Sequence, residues 1–543
     1  MAAMTGASPI NFSSMPESPH AQERFEPLGP RDTFDLVVIG GGINGVGIAR
    51  DAAGRGLSVL LCEQDDLASG TSSASTKLIH GGLRYLEYRE FNLVRKALAE
   101  REILLAAAPH IVRPLRFVMP HVPGLRPAWM IRAALFLYDH LGRREPLPAS
   151  SSIDLASHEV GVPLLPGFRK AFVYSDAWVD DARLVVLNAL DASGRGAEIL
   201  TRTRCVAAER GAHRWLVTLE SEPGIRRRVV ARGLVNAAGP WVLDLLQRLI
   251  GTAPRHRLRM VKGSHIVVPR LFDHDHAYLL QNADKRITFA IPYEGAFTLI
   301  GTTEVAFRGD PSEAAISSDE TAYLCAMTNR YFKRPIAPGN VVWSFSGVRP
   351  LLEDEARDSS AVTRDYLLEY DQGDAGTGVR APLLTVFGGK ITTYRKLAEE
   401  ALDKLAAAFG ADRSSRGVAS RIRTHWTAGE PLPGGEMPGA DFEAFAADFG
   451  RRHAWLPPSL AMRYARAYGT RAERLVAGAM CVADLGTAYG PGLHEAEVAY
   501  LVAHEWARTA DDVLWRRSKL GLHAGKASVD TLAERLAGNV NGP

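Results

Sequence analysis

The sequence predicts a mixed α/β (α+β) protein. A parallel-sheet domain carries an inserted antiparallel β domain and is followed by a C-terminal helical domain. Three observations support this prediction. An apolar run, a glycine-rich turn, a helical pattern and a second apolar run follow one another over residues 34–63. Residues 255–345 contain several short strand-like runs, and the chain from residue 441 onward has a helical pattern without strand signals. At 543 residues, the chain has room for two or three domains.

The glycine-rich turn is typical of a dinucleotide-binding βαβ unit. An apolar run over residues 34–39 ends at Gly40, Gly42 and Gly45, which are spaced as G-x-G-x-x-G. In such a turn, Gly40 permits the sharp bend, Gly42 lets the backbone approach a pyrophosphate, and Gly45 lets helix and strand pack closely. The spacing therefore predicts a Rossmann-like fold at this point of the chain.

The helix after the turn and the acid after the second strand complete this unit. A helix is predicted over residues 43–55, with Ile43 and Asn44 in its first turn, and an apolar run over residues 57–62 leads to Glu63. The unpaired N–H groups of the helix N-terminus favour a bound anion. Glu63 follows the glycines by about 20 positions, where a carboxylate accepts hydrogen bonds from an adenosine ribose. A carboxylate there repels a 2′-phosphate, which argues against NADP.

Other elements follow from shorter patterns. We predict a polar loop over a ligand at residues 69–85, and strands joined to turns and helix starts near residues 232–241 and 383–394. The remaining predicted elements are helices over 91–108, 128–138 and 495–509 and strands near 195–206 and over 264–269, 287–291, 297–303 and 366–370. A glycine- and proline-rich linker is expected at 428–439.

These patterns give a domain prediction. Residues 1–32 are rich in Ser, Pro, Met and Ala and are expected to form a disordered extension. Residues 33–425 form the α/β domain, with an antiparallel substrate domain mainly at 255–345 and a basic segment at 112–144. Residues 440–543 form the helical domain.

Composition excludes several classes of protein. The formal charge of +3 is close to neutral and does not suggest nucleic-acid binding. The four cysteines are scattered, so we expect neither a metal site nor a disulfide framework, and a cytoplasmic setting fits them best. The sequence has no apolar run of about 18 residues, so no membrane-spanning helix is expected.

The basic segment departs from this even charge distribution. Residues 112–144 contain six arginines and one acid, Asp139, interleaved with Trp129, Met130 and Phe136. Apolar residues beside a basic face suit a helix lying in a membrane interface. The alternative is an amphipathic helix packed on the core with a solvated basic edge, and the segment alone favours that alternative.

Several strings together resemble one family, the FAD-dependent (aerobic, respiratory) glycerol-3-phosphate dehydrogenases. The strings are GGGINGVGIARDAAGRG (40–56), TSSASTKLIHGGLRYLE (71–87), YSDAWVDDARLV (174–185), NAAGPWV (236–242), KGSHIVVP (262–269), IGTTE (300–304), SGVRPL (346–351), TRDY (363–366), FGGKITTYRKLAE (387–399) and ADDVLWRRSKLGL (510–522). The resemblance covers residues 34–522. It departs at Ala238 and Glu304, where family members often have Thr and Asp.

The resemblance implies a Rossmann-like FAD-binding domain. FAD is expected to be non-covalent, because the sequence shows no histidine attachment motif. The cofactor-binding residues implied are Gly40, Gly42, Ile43, Asn44, Gly45, Glu63, Ser72, Ser73, Ser75, Lys77, Gly81, Gly82, Val206, Ala238, Gly239, Gly388, Gly389 and Lys390.

It also implies oxidation of sn-glycerol 3-phosphate to dihydroxyacetone phosphate by hydride transfer to FAD. The substrate-binding residues implied are Arg84, Tyr85, Arg364 and Lys390, because a buried phosphate needs cations and hydrogen-bond donors. His265 is the first candidate for the catalytic base, His80 the second, and Arg349 would stabilise the developing alkoxide.

The family passes its electrons to a membrane quinone, and this shifts our interpretation of the basic segment. We therefore expect peripheral association with an anionic surface, the inner face of the cytoplasmic membrane. A homodimer is possible. The alternatives are a glycerol-3-phosphate oxidase that uses oxygen, an FAD-dependent amine or amino-acid oxidase, and a non-catalytic flavin-binding protein. Sequence alone separates quinone from oxygen poorly as the acceptor.

Overall fold

The computed structural model describes residues 24–25, 30–122, 124–142, 144–145, 147–222, 224–284, 286–353, 365–373, 381–410 and 424–540. The strands are β1 (Arg24–Phe25), β2 (Thr33–Ile39), β3 (Val59–Cys62), β4 (Leu78–Ile79), β5 (Val112–Pro120), β6 (Ser151–Asp154), β7 (Lys170–Val179), β8 (Glu198–Leu200), β9 (Arg204–Arg210), β10 (Trp215–Glu222), β11 (Ile225–Asn236), β12 (Leu258–Pro269), β13 (Ala277–Gln281), β14 (Ile287–Tyr293), β15 (Phe297–Gly301), β16 (Val305–Ala306), β17 (Trp343–Leu352), β18 (Leu367–Asp371) and β19 (Leu383–Phe387). The α-helices are α1 (Ile43–Gly54), α2 (Phe91–Ala107), α3 (Ala128–His140), α4 (Asp181–Gly194), α5 (Val242–Asp244), α6 (Ser318–Asn329), α7 (Tyr394–Gly410), α8 (Phe442–Arg452), α9 (Pro458–Tyr468), α10 (Ala472–Leu475), α11 (Glu495–His504) and α12 (Lys526–Val540).

A nine-stranded sheet forms the nucleotide-binding half of the molecule. Its order is β18-β19-β11-β2-β3-β8, with β1 and β10 paired to β11 and β9 paired to β10. The strands from β19 to β8 are parallel, and their buried residues are almost all apolar, as expected when helices cover a parallel sheet. Helices α1, α4 and α7 cover one face, where Val46, Val185 and Leu397 are fully buried.

A ten-stranded sheet forms the other half. Its order is β16-β12-β15-β14-β13-β5-β7-β4, with β17 paired to β12 and β6 paired to β7. The antiparallel strands predicted at 255–345 lie here, but the sheet also takes β4 to β7 from an earlier part of the chain. Strand β5 comes from the basic segment, where the sequence had suggested only the helix at 128–138. Its apolar residues are separated by Arg113 and Arg116, which hide the strand pattern.

The C-terminal helices α8 to α12 pack around a core of their own. Two buried ion pairs join this region to the rest of the chain: Arg183 of α4 binds Glu505, and Arg517 binds Asp66 at 2.7 Å. A buried arginine is tolerated when a carboxylate and further acceptors replace its water. The helical domain is therefore fixed against the nucleotide-binding half.

The mixed α/β fold class is confirmed, and so are most of the predicted elements. The helices predicted over 43–55 and 91–108 are α1 and α2, and the strands predicted over 34–39 and 57–62 are β2 and β3. Of the extension predicted at 1–32, residues 1–23 and 26–29 lie outside the described residues. Residues 24–25 form β1, which pairs in parallel with Ile225 and Arg226 of β11.

Candidate active site

A cavity of about 990 Å³ lies where the parallel strands of the nine-stranded sheet end. We call it the main cavity. It is lined by residues that follow β2, β3, β11 and β19 and, on the opposite side, by residues of β12 and β17 from the ten-stranded sheet. Ligands of open α/β sheets bind at the carboxyl ends of the strands, so the position itself suits a nucleotide.

The glycines after β2 are placed where a side chain has no room. Gly40 has φ +115°, and a Cβ there would lie 2.5 Å from the carbonyl oxygen of Ala237. A Cβ on Gly45 would lie 1.9 Å from the carbonyl oxygen of Gly40, which is closer than real Cβ atoms come to any atom. Gly42 faces the hydroxyl of Ser72, 3.1 Å from its hypothetical Cβ. The backbone is thus exposed to the cavity at Gly40 and Gly42, while Gly45 holds α1 against the turn.

The start of α1 is tied to two other parts of the cavity wall. The N–H of Ile43 donates to the hydroxyl of Ser72 at 3.0 Å, and the side-chain amide of Asn44 donates to the carbonyl of Gly388 at 3.0 Å. These side chains line the main cavity and join the loop after β3 and the turn after β19 to the helix N-terminus.

Glu63, at the end of β3, lines the main cavity in a half-buried position. Its two carboxylate oxygens accept hydrogen bonds from the N–H of Gly41 at 2.6 Å and from the N–H of Asp65 at 2.9 Å. Burial raises the pKa of Glu63, although these hydrogen bonds act in the opposite direction. The carboxylate keeps further acceptor positions for a ribose hydroxyl.

In the polar loop, Ser73 and Ser75 line the main cavity, whereas Lys77 does not. The ammonium group of Lys77 pairs with Asp181 at 2.7 Å, and both side chains are fully buried. The hydroxyl of Ser75 donates to the same carboxylate at 2.7 Å. A buried lysine needs such a partner, so Lys77 anchors the loop from behind. The expected position of Lys77 against the cofactor therefore differs from the observed one.

Gly81 also lies away from the main cavity. Its N–H donates to the hydroxyl of Tyr138 at 2.8 Å, so the backbone there is used for packing. Gly82, with φ +75°, lines a second cavity described below. Of the residues predicted in this loop to bind the cofactor, Lys77 and Gly81 line neither cavity.

On the remaining wall, Ala238 and Gly239 follow β11 and line the main cavity, whereas Val206 of β9 does not. Its neighbours Arg204 and Cys205 line the cavity instead. The cavity therefore meets β9 at the start of the strand, one and two positions before the predicted residue.

The turn after β19 brings a cation into the site. Gly388 and Gly389 have φ +70° and +97°, and they lead through Lys390 into a short turn before α7. The ammonium group of Lys390 is buried 4.1 Å from the ring centre of Tyr85. Within the described ranges it has no hydrogen-bond partner. A buried ammonium without an acceptor is costly, which marks this point as a site for an anion.

Two arginines also line the cavities. Arg84, whose Nε is buried without a hydrogen-bond partner among the described residues, lines the second cavity, and Arg349 lines both cavities. The guanidinium group of Arg349 lies 3.7 Å from the carboxylate of Glu304. Arg364, also predicted to bind substrate, lies outside the described residues.

His265 lies on β12 and lines the main cavity, although only 2% of its surface is exposed. Its Nε2 lies 2.9 Å from the hydroxyl of Thr76, and its ring stacks on Phe345 at 4.8 Å. Burial, with the charges of Lys77 and Arg349, lowers the pKa of His265 to about 3. The imidazole is therefore neutral near pH 7 and has a lone pair for a proton.

The second cavity, about 540 Å³, shares a wall with the main one, and we call it the apolar cavity. The residues that line both are Thr76, Leu78, His80, Tyr85, Thr302, Glu304 and Arg349. Burial lowers the pKa of His80. Helix α3 supplies another wall through Met130, Ile131 and Leu137.

The opposite side of α3 is exposed and apolar. Trp129 is 72% and Phe136 is 59% exposed. Most arginines of the basic segment bind within the protein: Arg126 pairs with Glu87 at 2.7 Å, and Arg132 donates to the hydroxyl of Ser150 at 2.7 Å. The surface thus presents aromatic side chains where the sequence had suggested a basic face. Among the described helices, none has the length and apolar character that crossing a membrane requires.

Sequence reasoning missed a contribution from the C-terminal domain. Trp515, Arg516 and Lys519 line the main cavity, and Trp515 stacks on Trp343 at 4.4 Å. The string at residues 510–522, which carries part of the family resemblance, is the signal that could have identified them. In the described part of the chain, no group of three or more His, Cys, Asp or Glu side chains is arranged to hold a metal ion.

Comparison with known proteins agrees with this geometry. Residues 35–395 match the family described as "FAD dependent oxidoreductase", and residues 425–540 match the "C-terminal domain of alpha-glycerophosphate oxidase". The chain is 55% identical to a glycerol-3-phosphate dehydrogenase of Pseudomonas aeruginosa, over 93% of this chain and 95% of that one. It is 52% identical to a D-erythritol 1-phosphate dehydrogenase of Brucella abortus, over 91% and 96% of the two chains.

A solved structure is also similar. The glycerol-3-phosphate dehydrogenase of Bacillus halodurans, crystallised with FAD, superposes with a TM-score of 0.70 at 25% identity and covers 93% of this chain and 89% of its own. The glycine turn, the strand-end cavity and the buried cations fit a flavin dinucleotide beside an anionic substrate. The chain belongs to the family of FAD-dependent glycerol-3-phosphate dehydrogenases, and its cofactor is FAD.

Proposed function

We propose that this enzyme oxidises the C2 hydroxyl of sn-glycerol 3-phosphate to the ketone of dihydroxyacetone phosphate and passes the electrons to a membrane quinone. The observation that carries the proposal is the buried ammonium of Lys390, which lacks a hydrogen-bond partner among the described residues and lies close to Tyr85. A phosphate that leaves water needs such a charge in exchange for its hydration.

In this proposal, Lys390, Arg84, Tyr85 and Arg364 hold the phosphate. Lys390 lines the main cavity and Arg84 lines the apolar cavity, so the proposal places the phosphate at the wall that the two cavities share. An amino-acid carboxylate needs one cation and an apolar side-chain pocket, so a site with several cations favours a phosphate ester over an amino acid. The buried Nε of Arg84 gives this preference a second support.

His265 takes the proton of the C2 hydroxyl, and Arg349 stabilises the negative charge that develops on that oxygen. The lowered pKa keeps His265 neutral before the reaction, but a pKa of about 3 also makes it a weak base. In the proposal, the negative charge of the bound phosphate raises this pKa toward the operating pH. When bound, FAD supplies the acceptor for the hydride that leaves C2. The substrate thus loses one proton and one hydride.

The cofactor residues follow from the lining of the main cavity. Gly40 and Gly42 expose the backbone to the diphosphate, and Glu63 accepts hydrogen bonds from the ribose. The remaining lining residues from the prediction are Ile43, Asn44, Ser72, Ser73, Ser75, Ala238, Gly239, Gly388, Gly389 and Lys390. Five further residues from the prediction do not line this cavity and are not part of the proposal as cofactor contacts: Gly45, Lys77, Gly81, Gly82 and Val206.

The apolar cavity supports quinone as the acceptor. It adjoins the main cavity through a shared wall that includes His80 and Tyr85, and it is bounded by the apolar side of α3. A quinone dissolved in a bilayer needs an apolar path from the membrane. The exposed Trp129 and Phe136 on the same helix support peripheral attachment at the inner face of the cytoplasmic membrane.

The test is anaerobic reduction of the FAD-loaded enzyme by sn-glycerol 3-phosphate, followed as loss of the oxidised flavin absorbance. We expect complete reduction by this ester and none by glycine or D-amino acids. D-erythritol 1-phosphate is the comparison substrate, and a faster reduction by it would make the four-carbon ester the substrate. Flavin that stays oxidised with all of these compounds would refute the proposal.

The acceptor is tested on the reduced enzyme by mixing it with a short-chain quinone or with dissolved oxygen. We expect reoxidation by the quinone to be faster by at least a factor of about 100, because the apolar cavity holds the quinone beside the site. Equal rates, or faster reoxidation by oxygen, would identify an oxidase instead.

A further inference from the structure

A continuous row of aromatic rings runs from the C-terminal domain to His265. Trp515 stacks on Trp343 with ring centres 4.4 Å apart and planes inclined by 19°. Trp343 contacts Phe345 at 5.0 Å and 40°, and Phe345 stacks on the imidazole of His265 at 4.8 Å and 13°. Trp343 and Phe345 are both on β17, which pairs with β12 next to His265.

The imidazole depends on this row for its orientation. Among the described residues, Thr76 is its hydrogen-bond partner at Nε2, while Nδ1 has none. One hydrogen bond lets the ring turn about the axis of that bond, whereas a stacked neighbour fixes the plane. Phe345 therefore restrains the plane of the imidazole, which the hydrogen bond leaves free to rotate. The ammonium group of Lys77 lies 5.1 Å from the ring centre of Phe345 and holds that ring in place.

The far end of the row is rigid. Two residues after Trp515, the guanidinium of Arg517 pairs with Asp66 at 2.7 Å in a buried position. Lys519 donates a hydrogen bond to the carbonyl of Trp515. Gly521 leaves space for the indole, because a Cβ there would lie 2.5 Å from two ring atoms. The indole is thus held by its own backbone neighbours.

We infer that Trp515 is a positioning residue: through Trp343 and Phe345, it holds the imidazole of His265 in the plane in which it takes the substrate proton. The inference rests on the proposed role of His265 as the base. It gives the C-terminal domain a part in the reaction, although the residues proposed to contact substrate and FAD all precede residue 400. A misoriented base slows the chemical step and leaves the phosphate site unchanged, so the inference predicts a loss of rate without a loss of substrate affinity.

The experiment measures flavin reduction by sn-glycerol 3-phosphate in FAD-loaded Trp515→Ala and Trp515→Phe. For Trp515→Ala we expect the rate constant at saturating substrate to fall about tenfold, with the apparent dissociation constant changed by less than about twofold. Trp515→Phe keeps a stacking ring and should stay within about twofold of the wild type. Gly521→Ala displaces the indole without removing it and should lower the rate constant like Trp515→Ala, which covers the case that Trp515→Ala does not fold.

The matched control is Trp455→Ala, which removes a tryptophan of the same domain that does not line the main cavity. It should leave the rate constant unchanged while lowering the melting temperature, which separates general destabilisation from positioning.

A double-mutant cycle with His265→Asn tests whether Trp515 affects the rate through His265. If Trp515 acts through His265, adding Trp515→Ala to His265→Asn causes no further loss of rate. A full additional tenfold loss, or a weakened substrate affinity in Trp515→Ala, overturns the inference and leaves the base assignment intact. If His265→Asn alone reduces flavin at nearly the wild-type rate, the base assignment fails and the positioning role falls with it.

Discussion

The two cavities share a wall, yet they are built differently. The nucleotide end of the main cavity is made by backbone at the ends of neighbouring strands, with Gly40, Gly42 and Gly45 as its determining residues. The substrate end and the apolar cavity are made by side chains from distant parts of the chain, such as Arg84 and Arg349. The backbone-built end is encoded in one short stretch of sequence, whereas the side-chain-built end exists only after the fold has formed.

The largest expected effect comes from Gly45→Ala, which breaks the backbone-built end. The new Cβ would lie 1.9 Å from a backbone carbonyl that cannot move aside alone. We expect the purified protein to lose its flavin, with the FAD content reduced by more than about tenfold. The flavin absorbance of the protein after gel filtration measures the FAD content. The control is Gly194→Ala, where a Cβ meets nothing within 4 Å. Retained flavin in Gly45→Ala would show that this end tolerates side chains.

His265→Ala tests the side-chain-built end and should leave the flavin bound. We expect the rate constant of anaerobic flavin reduction to fall by about 100- to 10,000-fold, the usual contribution of a general base. Stopped-flow absorbance at saturating substrate is the measurement. A decrease of only a few-fold would remove His265 from the reaction and make His80 the next candidate.

The outer face of α3 should govern membrane attachment. Replacing Trp129 and Phe136 by Ser removes exposed aromatic area, and we expect binding to anionic vesicles to weaken by at least about tenfold. Arg132→Gln removes one charge from the same helix, and it should weaken binding by no more than about fivefold, less than the aromatic replacements. Co-sedimentation measures both. A larger effect of Arg132→Gln would restore the basic-face interpretation.

The smallest effect on turnover is expected for His110→Leu. His110 resembles His265 in burial, and burial, with Arg183 and Arg466, lowers its pKa to about 3, but it lines neither cavity. The rate of flavin reduction should therefore stay unchanged.

His110→Leu should instead change how the stability of the protein depends on pH. Because the folded pKa of His110 lies below the unfolded value of 6.5, the unfolded chain takes up the proton first, and stability is lost as pH falls below that value. Between pH 7 and pH 5, His110 should lower the free energy of unfolding by about 2 kcal/mol. His110→Leu should abolish this decrease. Urea unfolding at both pH values measures it. Equal pH dependence in the two proteins would contradict the assignment.

Much of the fold could be predicted because its signals are local. The turn at Gly40, the helix α1 and the acid at Glu63 occur within 30 positions of one another, and local sequence decides their conformation. Strand β5 could not be predicted in the same way, since its arginines are half-buried only through contacts with other elements. Arg113, for example, lies 4.6 Å over the ring of Trp178.

The site was partly predictable for the same reason. Lys390 and His265 were identified from short strings, and both line the main cavity. Lys77 was expected there too, but its direction depends on Asp181, which is 104 positions away in the chain. The part played by Trp515 depends on a contact with Trp343 across two domains, which no local pattern contains.

Helix α3 forms one wall of the apolar cavity and part of the outer surface of the protein. Met130 and Leu137 line the cavity and are also 39% and 38% exposed, and their neighbours Trp129 and Phe136 are more exposed still, so one helix contributes to both the cavity and the outer surface. Any sideways displacement of this helix alters the cavity and the outer surface together. With the proposed attachment of α3 to a membrane, we expect lipid composition to change turnover, and a fluorescent probe on α3 would report both effects.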